Sequence, residues 1–160
     1  MTPTRVFVHG LESTSQGTKG VYFRERYPEM IIEDFSGPFP KRMEKLNGLL
    51  AGKSDIILVG SSYGGLMAAV YACENGDRVK KLILLAPALH LAPYKSYLNC
   101  TLHMPVVIFH GRNDDLVPIE TIEGIAKKLF VNYDYHLLDD DHALHRTFAQ
   151  LDWEALLADS

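Results

Sequence analysis

Cysteine is scarce: Cys73 and Cys100 are the only two in 160 residues. One possible pair is no disulfide framework, and their spacing is not that of a metal-binding motif. A basic excess is missing too. Sixteen Lys and Arg stand against 20 Asp and Glu, a formal net charge of −4. That balance excludes phosphate-backbone binding as the main activity, because such binding needs a basic footprint, and no nucleic-acid partner is expected. Long apolar runs are also absent. Stretches such as Ile56 to Val59 and Leu82 to Leu85 fall far short of the roughly 18–20 residues of a membrane span. The first apolar stretch opens at Val6, which leaves no room for a basic and apolar leader, so a reduced, cytoplasmic setting is expected. There is no internal repeat and no low-complexity linker. A hydrophobic content of 47% with 22% charged residues is that of an ordinary globular chain, read as one domain over residues 1–160.

What is present is an alternation. Short aliphatic runs recur at Arg5 to Val8, Met30 to Glu33, Asp55 to Val59, Lys81 to Leu85, Val106 to Phe109 and Tyr133 to Leu138. Several are almost wholly apolar, the pattern of strands buried on both faces of a parallel sheet. Helical spacing fills the gaps. Gly17 to Tyr27 predicts a helix that stops at or before Pro28. Met43, Leu46, Leu49 and Leu50 form an apolar stripe, with Gly52 as a terminator. Leu66, Ala69, Val70 and Cys73 form another, and Ile119, Ile122, Ala126 and Leu129 a third behind Pro118. Leu144, Phe148, Leu151 and Ala155 predict a last helix. The expected fold class is α/β: a three-layer sandwich with a six-stranded, mainly parallel sheet. Residues 88–104 fit neither period and are read as a short lid-like insertion.

The sharpest local signal is Gly60-Ser61-Ser62-Tyr63-Gly64. It lies between a predicted strand and a predicted helix, the context in which G-x-S-x-G carries meaning. The tight turn pushes the Ser62 hydroxyl out above the sheet, and glycines two positions away make room for it. The new helix points its positive end at the same place. A serine hydroxyl needs a base to take its proton and a carboxylate to hold that base. The chain supplies both after later strands. His110-Gly111-Arg112-Asn113-Asp114-Asp115-Leu116-Val117-Pro118 follows one strand, and Asp139-Asp140-Asp141-His142 follows the next. The order is serine, aspartate, histidine, each beyond the C-terminal end of a strand, where open α/β sheets bind ligands.

With these motifs in order, the chain resembles the α/β-hydrolase superfamily, and within it the compact, capless bacterial serine esterases. Four motifs carry the resemblance: His9-Gly10 after the first strand, G-x-S-x-G after the third, G-x-x-D-x-x-V-P after the fifth, and Asp141-His142 after the sixth. It implies Ser62 as nucleophile, His142 as general base and Asp114 as the acid, with Asp115 as the fallback. It implies an oxyanion hole built from the backbone N–H groups of Leu11 and Tyr63. The family core has eight strands, and this chain resembles it from the third onward, a reduced fold lacking the first two strands. The expected activity is hydrolysis of carboxylic esters with small or short-chain acyl groups, in a shallow, open site, with no cofactor and no metal. The partner is then a small-molecule ester. A thioester, a peptide or a lysophospholipid remains open on the same machinery, as does a non-catalytic binding module on the same fold. Tyr94 and Tyr97, in the lid-like stretch, are expected to line the acyl pocket.

Other candidates have plainer readings. Asp139 to Asp141 are expected to be a solvated loop and helix cap, and His145 to face solvent. His9 is read as a packed histidine that orients the loop after the first strand. Glu12 to Ser15 are expected to shape that loop and cap the next helix. Tyr22, Phe23 and Tyr27 are read as helix-to-sheet packing, and Cys73 as core.

Overall fold

Strands with apolar residues at consecutive positions must be covered on both sides. The computed structural model, which describes residues 2–159, shows that arrangement. Strands β1 (Thr4–Val8), β2 (Ile31–Ile32), β3 (Ile56–Ser61), β4 (Val79–Leu85), β5 (Val106–Gly111) and β6 (Tyr133–Leu138) form one sheet in the order β2-β1-β3-β4-β5-β6. Every pairing is parallel, where a mainly parallel sheet was expected.

Side chains alternate across the sheet at a period of two and divide the core. Val6, Val8, Ile56, Leu58, Leu82, Leu84, Val106 and Ile108 face one side. There they meet Met43 and Leu46 of α2 (Phe39–Leu49), the buried length of α3 (Tyr63–Glu74), and Ile122, Ala126 and Leu129 of α4 (Ile119–Leu129). Phe7, Ile57, Val59, Ile83, Leu85 and Phe109 face the other side. Their cover is Phe23 of α1 (Thr18–Arg26), Leu144, Phe148, and Trp153 of α5 (Trp153–Leu156). Aromatic rings lock that second layer: Phe23 meets Trp153 edge-on with centroids 4.8 Å apart, and Phe148 edge-on at 5.5 Å. Ile57, Leu58 and Ile83 are fully buried, so truncating any of them to alanine costs about 2–5 kcal/mol.

The last predicted helix is not continuous. Phe148–Gln150 makes a single 3-10 turn, and α5 begins only at Trp153. Two local features break it. Leu144 sits at φ 56°, outside the helical region. Asp152 then caps a fresh start, its carboxylate accepting from Ala155 N–H at 3.2 Å. The Trp153 indole N–H reaches back to the Phe148 carbonyl at 2.8 Å. Leu144 and Phe148 are buried as expected, but Ala155 is exposed. Nor does a side chain from Glu12 to Ser15 cap α1; Gly17 stands at the cap position.

The stretch from 88 to 104 lies down on the molecule. Ala92–Tyr97 is 3-10 helix. Ala88, Leu89, Tyr94 and Leu102 are buried in the core beside α3. The Tyr97 hydroxyl donates to Glu74 of α3 at 2.7 Å, and Leu102 bridges to Phe130. Among the described residues, no helix is long and apolar enough to cross a membrane.

Candidate active site

Ser62 sits where β3 turns into α3, at φ 55° and ψ −113°. A non-glycine residue there carries strain of roughly 1–3 kcal/mol, which persists only where the surroundings fix it. They do. Ser62 N–H donates to the Leu85 carbonyl at the end of β4 at 2.8 Å. The Ser62 carbonyl accepts from Gly65, Leu66 and Ala88 N–H at 2.9, 3.2 and 2.9 Å. The flanking glycines are steric requirements. A Cβ on Gly60 would lie 2.4 Å from the Gly64 carbonyl oxygen, and one on Gly64 would lie 2.1 Å from that of Val8. The turn can therefore close only without side chains there.

Facing Ser62 is His142, at the tip of the loop that follows β6. Its Nε2 lies 2.9 Å from Ser62 Oγ, and its Nδ1 lies 2.7 Å from Asp114 Oδ2. Asp114 follows β5. Its side chain is fully buried, while that of His142 keeps 19% of its exposure. Asp115, the fallback, is exposed. Asp114 Oδ1 accepts from Leu116 and Val117 N–H at 2.8 and 2.9 Å. Burial pushes the Asp114 pKa up. The hydrogen bonds from His142, Val117 and Leu116 outweigh it and hold the carboxyl below the usual aspartate value.

A second histidine serves the same carboxylate, one that no motif in the sequence singles out. His110 is fully buried, its Nε2 lying 3.0 Å from Asp114 Oδ2 and its Nδ1 2.6 Å from the Tyr135 hydroxyl. Burial lowers the His110 pKa against the pull of Asp114. A neutral His110 donates from Nε2 to Asp114 and accepts from Tyr135 at Nδ1. Both partners were legible only in three dimensions: His110 lies one residue before the end of β5, and Tyr135 is its β6 neighbour two residues from the directly paired Leu137.

The loop carrying His142 is built around a buried acid. Asp140, expected in a solvated loop, is only 3% exposed. It accepts from Asp141, Arg146 and Thr147 N–H and from the Thr147 hydroxyl, at 2.7–3.0 Å. Those donors replace water, so the carboxylate can be buried and the loop has one shape. Asp141 is exposed and pairs with His145, Oδ2 to Nδ1 at 2.7 Å. That engages His145 away from Ser62, as its solvent-facing reading implied. Asp139 pairs with Arg146 at the surface.

His9, after β1, is buried. Its Nε2 accepts from Phe35 N–H at 2.9 Å, so its proton lies on Nδ1 and is donated to the Gly10 carbonyl at 2.7 Å. This histidine orients the loop, as expected. Gly10 lies against the elbow: a Cβ built on it would sit 3.5 Å from Ser62 Cβ. Leu11 follows, about half exposed. Among the described residues, neither Leu11 N–H nor Tyr63 N–H has a hydrogen-bond acceptor.

Around Ser62 and His142 lies a cavity of about 750 Å³. That is more room than the shallow site expected. The walls come from α1 and the segment after His142, through Lys19, Tyr22, Leu144 and Phe148, and from Leu116 and Val117 on the other flank. Tyr22, read as packing alone, is one of them. Residues 88–104 contribute only Ala88, His90 and Leu91. Tyr94 and Tyr97 do not line the cavity. Tyr94 is fully buried against α3, and Tyr97 is tied to Glu74. Their expected place in an acyl pocket is therefore corrected: Ala92–Tyr97 packs beside α3, and neither tyrosine is among the cavity-lining residues.

An elbow at the C-terminal edge of an all-parallel sheet, with Ser62, Asp114 and His142 on the loops after β3, β5 and β6, defines a known architecture. A family model described as the alpha/beta hydrolase fold matches residues 24–97. The chain has the α/β-hydrolase fold. Solved structures agree across almost its whole length. Est1E from Butyrivibrio proteoclasticus is 20% identical, with a TM-score of 0.78 over 98% of this chain and 86% of that one. The monoacylglycerol lipase of Paleococcus ferrophilus is 15% identical, with a TM-score of 0.75 over 99% and 96%. Mouse alpha/beta hydrolase domain-containing protein 10 is 22% identical, with a TM-score of 0.74 over 89% and 83%. No curated protein sequence matches the chain. The fold that the motif resemblance implied is the one observed, with a six-stranded parallel sheet as the reduced core.

Proposed function

We propose that the protein is a serine hydrolase that cleaves carboxylic esters of small acyl groups through an acyl-enzyme on Ser62. The observation that carries the reading is the continuous path Ser62 Oγ–His142 Nε2 and His142 Nδ1–Asp114 Oδ2, at 2.9 and 2.7 Å. The esterase and lipase named among the structural neighbours support hydrolysis as the reaction class.

His142 Nε2 takes the hydroxyl proton as Ser62 Oγ attacks the ester carbonyl. Asp114 accepts from Nδ1–H, which leaves Nε2 unprotonated and ready, and it stabilises the imidazolium that forms. His142 then gives its proton to the departing alcohol. Water, deprotonated by the same Nε2, attacks the acyl-enzyme, and Ser62 leaves with the proton returned. The Leu11 and Tyr63 N–H groups, unpartnered among the described residues, hold the developing oxyanion. Each such donor is worth about 2.7–4 kcal/mol in the transition state. The strained Ser62 backbone and the partnerless N–H groups are features that folding alone would not favour. Apolar walls and the cavity volume suit a small ester with both halves enclosed.

Hydrolysis of p-nitrophenyl esters of increasing chain length, by wild type and Ser62→Ala, tests the reading. Turnover in wild type that vanishes in Ser62→Ala is expected, with a profile that peaks at short chains. Equal turnover in both proteins would overturn it.

A further inference from the structure

Lys19 stands in the first turn of α1 and lines the same cavity as Ser62 and His142. Its ammonium donates to the Ala143 carbonyl at 2.6 Å and lies 5.4 Å from the centre of the Phe148 ring. Among the described residues, it has no carboxylate within salt-bridge distance, whereas Arg5, Lys45, Lys80 and Arg146 each have one. A lysine ammonium carries three protons. One is used here, and burial makes the charge costly, lowering the lysine pKa against the pull of Asp141 and Asp140. A cation held in a cavity wall without a counter-ion is a site that attracts one. The turn adds to it. No side chain caps α1, so its first N–H groups also favour negative charge beside Lys19 and Thr18.

The neighbourhood limits that charge to one. Glu12 lines the cavity, and Asp140 and Asp141 lie near enough to act on Lys19 through their charges. A dianion would meet more repulsion than one ammonium offsets, while a carboxylate matches it. Phe7, Tyr22, Leu144 and Phe148 supply apolar wall on this side of the cavity, suited to a short methylene chain.

We propose that Lys19 selects esters whose one end is a carboxylate on a short apolar chain, so that the substrate class is the half-ester of a small dicarboxylic acid or its counterpart with the carboxylate on the alcohol. The scissile bond rests on the ester-hydrolase reading above; the anion site does not.

The test compares monomethyl glutarate with dimethyl glutarate, and 3-acetoxypropanoate with its methyl ester, at neutral pH. In Lys19→Met, the ratio of kcat/KM for the anionic over the neutral ester should fall at least about tenfold in one of the pairs. Lys19→Arg, which keeps the positive charge, should keep most of the ratio. An unchanged ratio in both pairs overturns the proposal. So does an equal loss on charged and neutral esters, which would mean that Lys19 only braces the Ala143 loop. Calorimetric titration of Ser62→Ala and Ser62→Ala/Lys19→Met with the two anionic esters reads the site without turnover. Binding of at least one should weaken at least about tenfold in the double variant, and equal affinities for both would refute the site. If wild type cleaves neither neutral nor charged ester, the esterase reading fails while the titration still decides this one.

Discussion

Asp114→Asn exchanges one carboxylate oxygen for an amide NH2 with almost no change in shape. The buried carboxylate has donors on both sides: Leu116 and Val117 N–H on Oδ1, and His142 Nδ1 and His110 Nε2 on Oδ2. The amide oxygen can satisfy only one pair. Kept toward the backbone N–H groups, it turns the NH2 toward both histidines. His142 must then accept at Nδ1 and carry its proton on Nε2, the atom 2.9 Å from Ser62 Oγ. A protonated Nε2 cannot take the serine proton. The corresponding change in a serine protease lowers kcat about 10⁴-fold, equivalent to about 5.5 kcal/mol of barrier. Turned the other way, the amide faces two backbone N–H groups, and each orphaned donor costs about 1–3 kcal/mol of stability. The variant should thus lose about four decades of kcat, with a lower urea midpoint as well. The assay is p-nitrophenyl acetate turnover with urea unfolding on the same samples, and 15N shifts of His142 to read the tautomer. Asp115→Asn, at an exposed position, should leave all three unchanged. Turnover within tenfold of wild type in Asp114→Asn, or collapse in Asp115→Asn, would refute the reasoning.

Thr147→Val removes the hydroxyl that donates to buried Asp140 at 2.7 Å, and a loss of about 1.5–3 kcal/mol is expected by urea unfolding. Tyr135→Phe leaves His110 Nδ1 without its donor, so the Asp114 anchor loosens; kcat should fall only a few-fold while unfolding shifts by about 1–3 kcal/mol. Asp141 titrates at about 2 through its bonds to His145, and Asp114 and Asp140 are also held below the usual range. A depressed carboxylate pKa gives stability that is complete above the unfolded value and lost as pH falls through the folded one. The urea midpoint should therefore drop progressively below about pH 4, with the loss still growing toward about pH 2, and a midpoint that stays flat there would contradict the assignment.

Most of the fold was legible because its signals are local. The wholly apolar runs at Ile56 to Val59 and Leu82 to Leu85 announce strands covered on both faces, and the glycines around Ser62 announce a turn too tight for side chains. The order of Ser62, Asp114 and His142 was legible for the same reason: each follows its own strand. What stayed hidden depends on contacts between distant residues. Tyr94 and Tyr97 were placed at the cavity by their position in an irregular stretch, yet burial against α3 outweighed proximity in sequence. Asp140 reads as one of three surface acids until Thr147 and the loop amides close around it. Lys19 and Tyr22 sit on an unremarkable amphipathic stretch, and only the return of Phe148 beside α1 turns them into cavity wall. The C-terminal apolar spacing was real for Leu144 and Phe148, but Asp152 and the left-handed Leu144 divide what periodicity had joined.

The central claim is that Ser62 is the nucleophile, activated by His142. Labelling with a fluorophosphonate, followed by intact-mass measurement and peptide mapping, tests it most directly, because the probe bonds only to an activated hydroxyl. One adduct per chain on Ser62, abolished in Ser62→Ala and strongly slowed in His142→Ala, is the expected result. Labelling of Ser61 or another residue, or equal labelling of wild type and Ser62→Ala, would contradict the account.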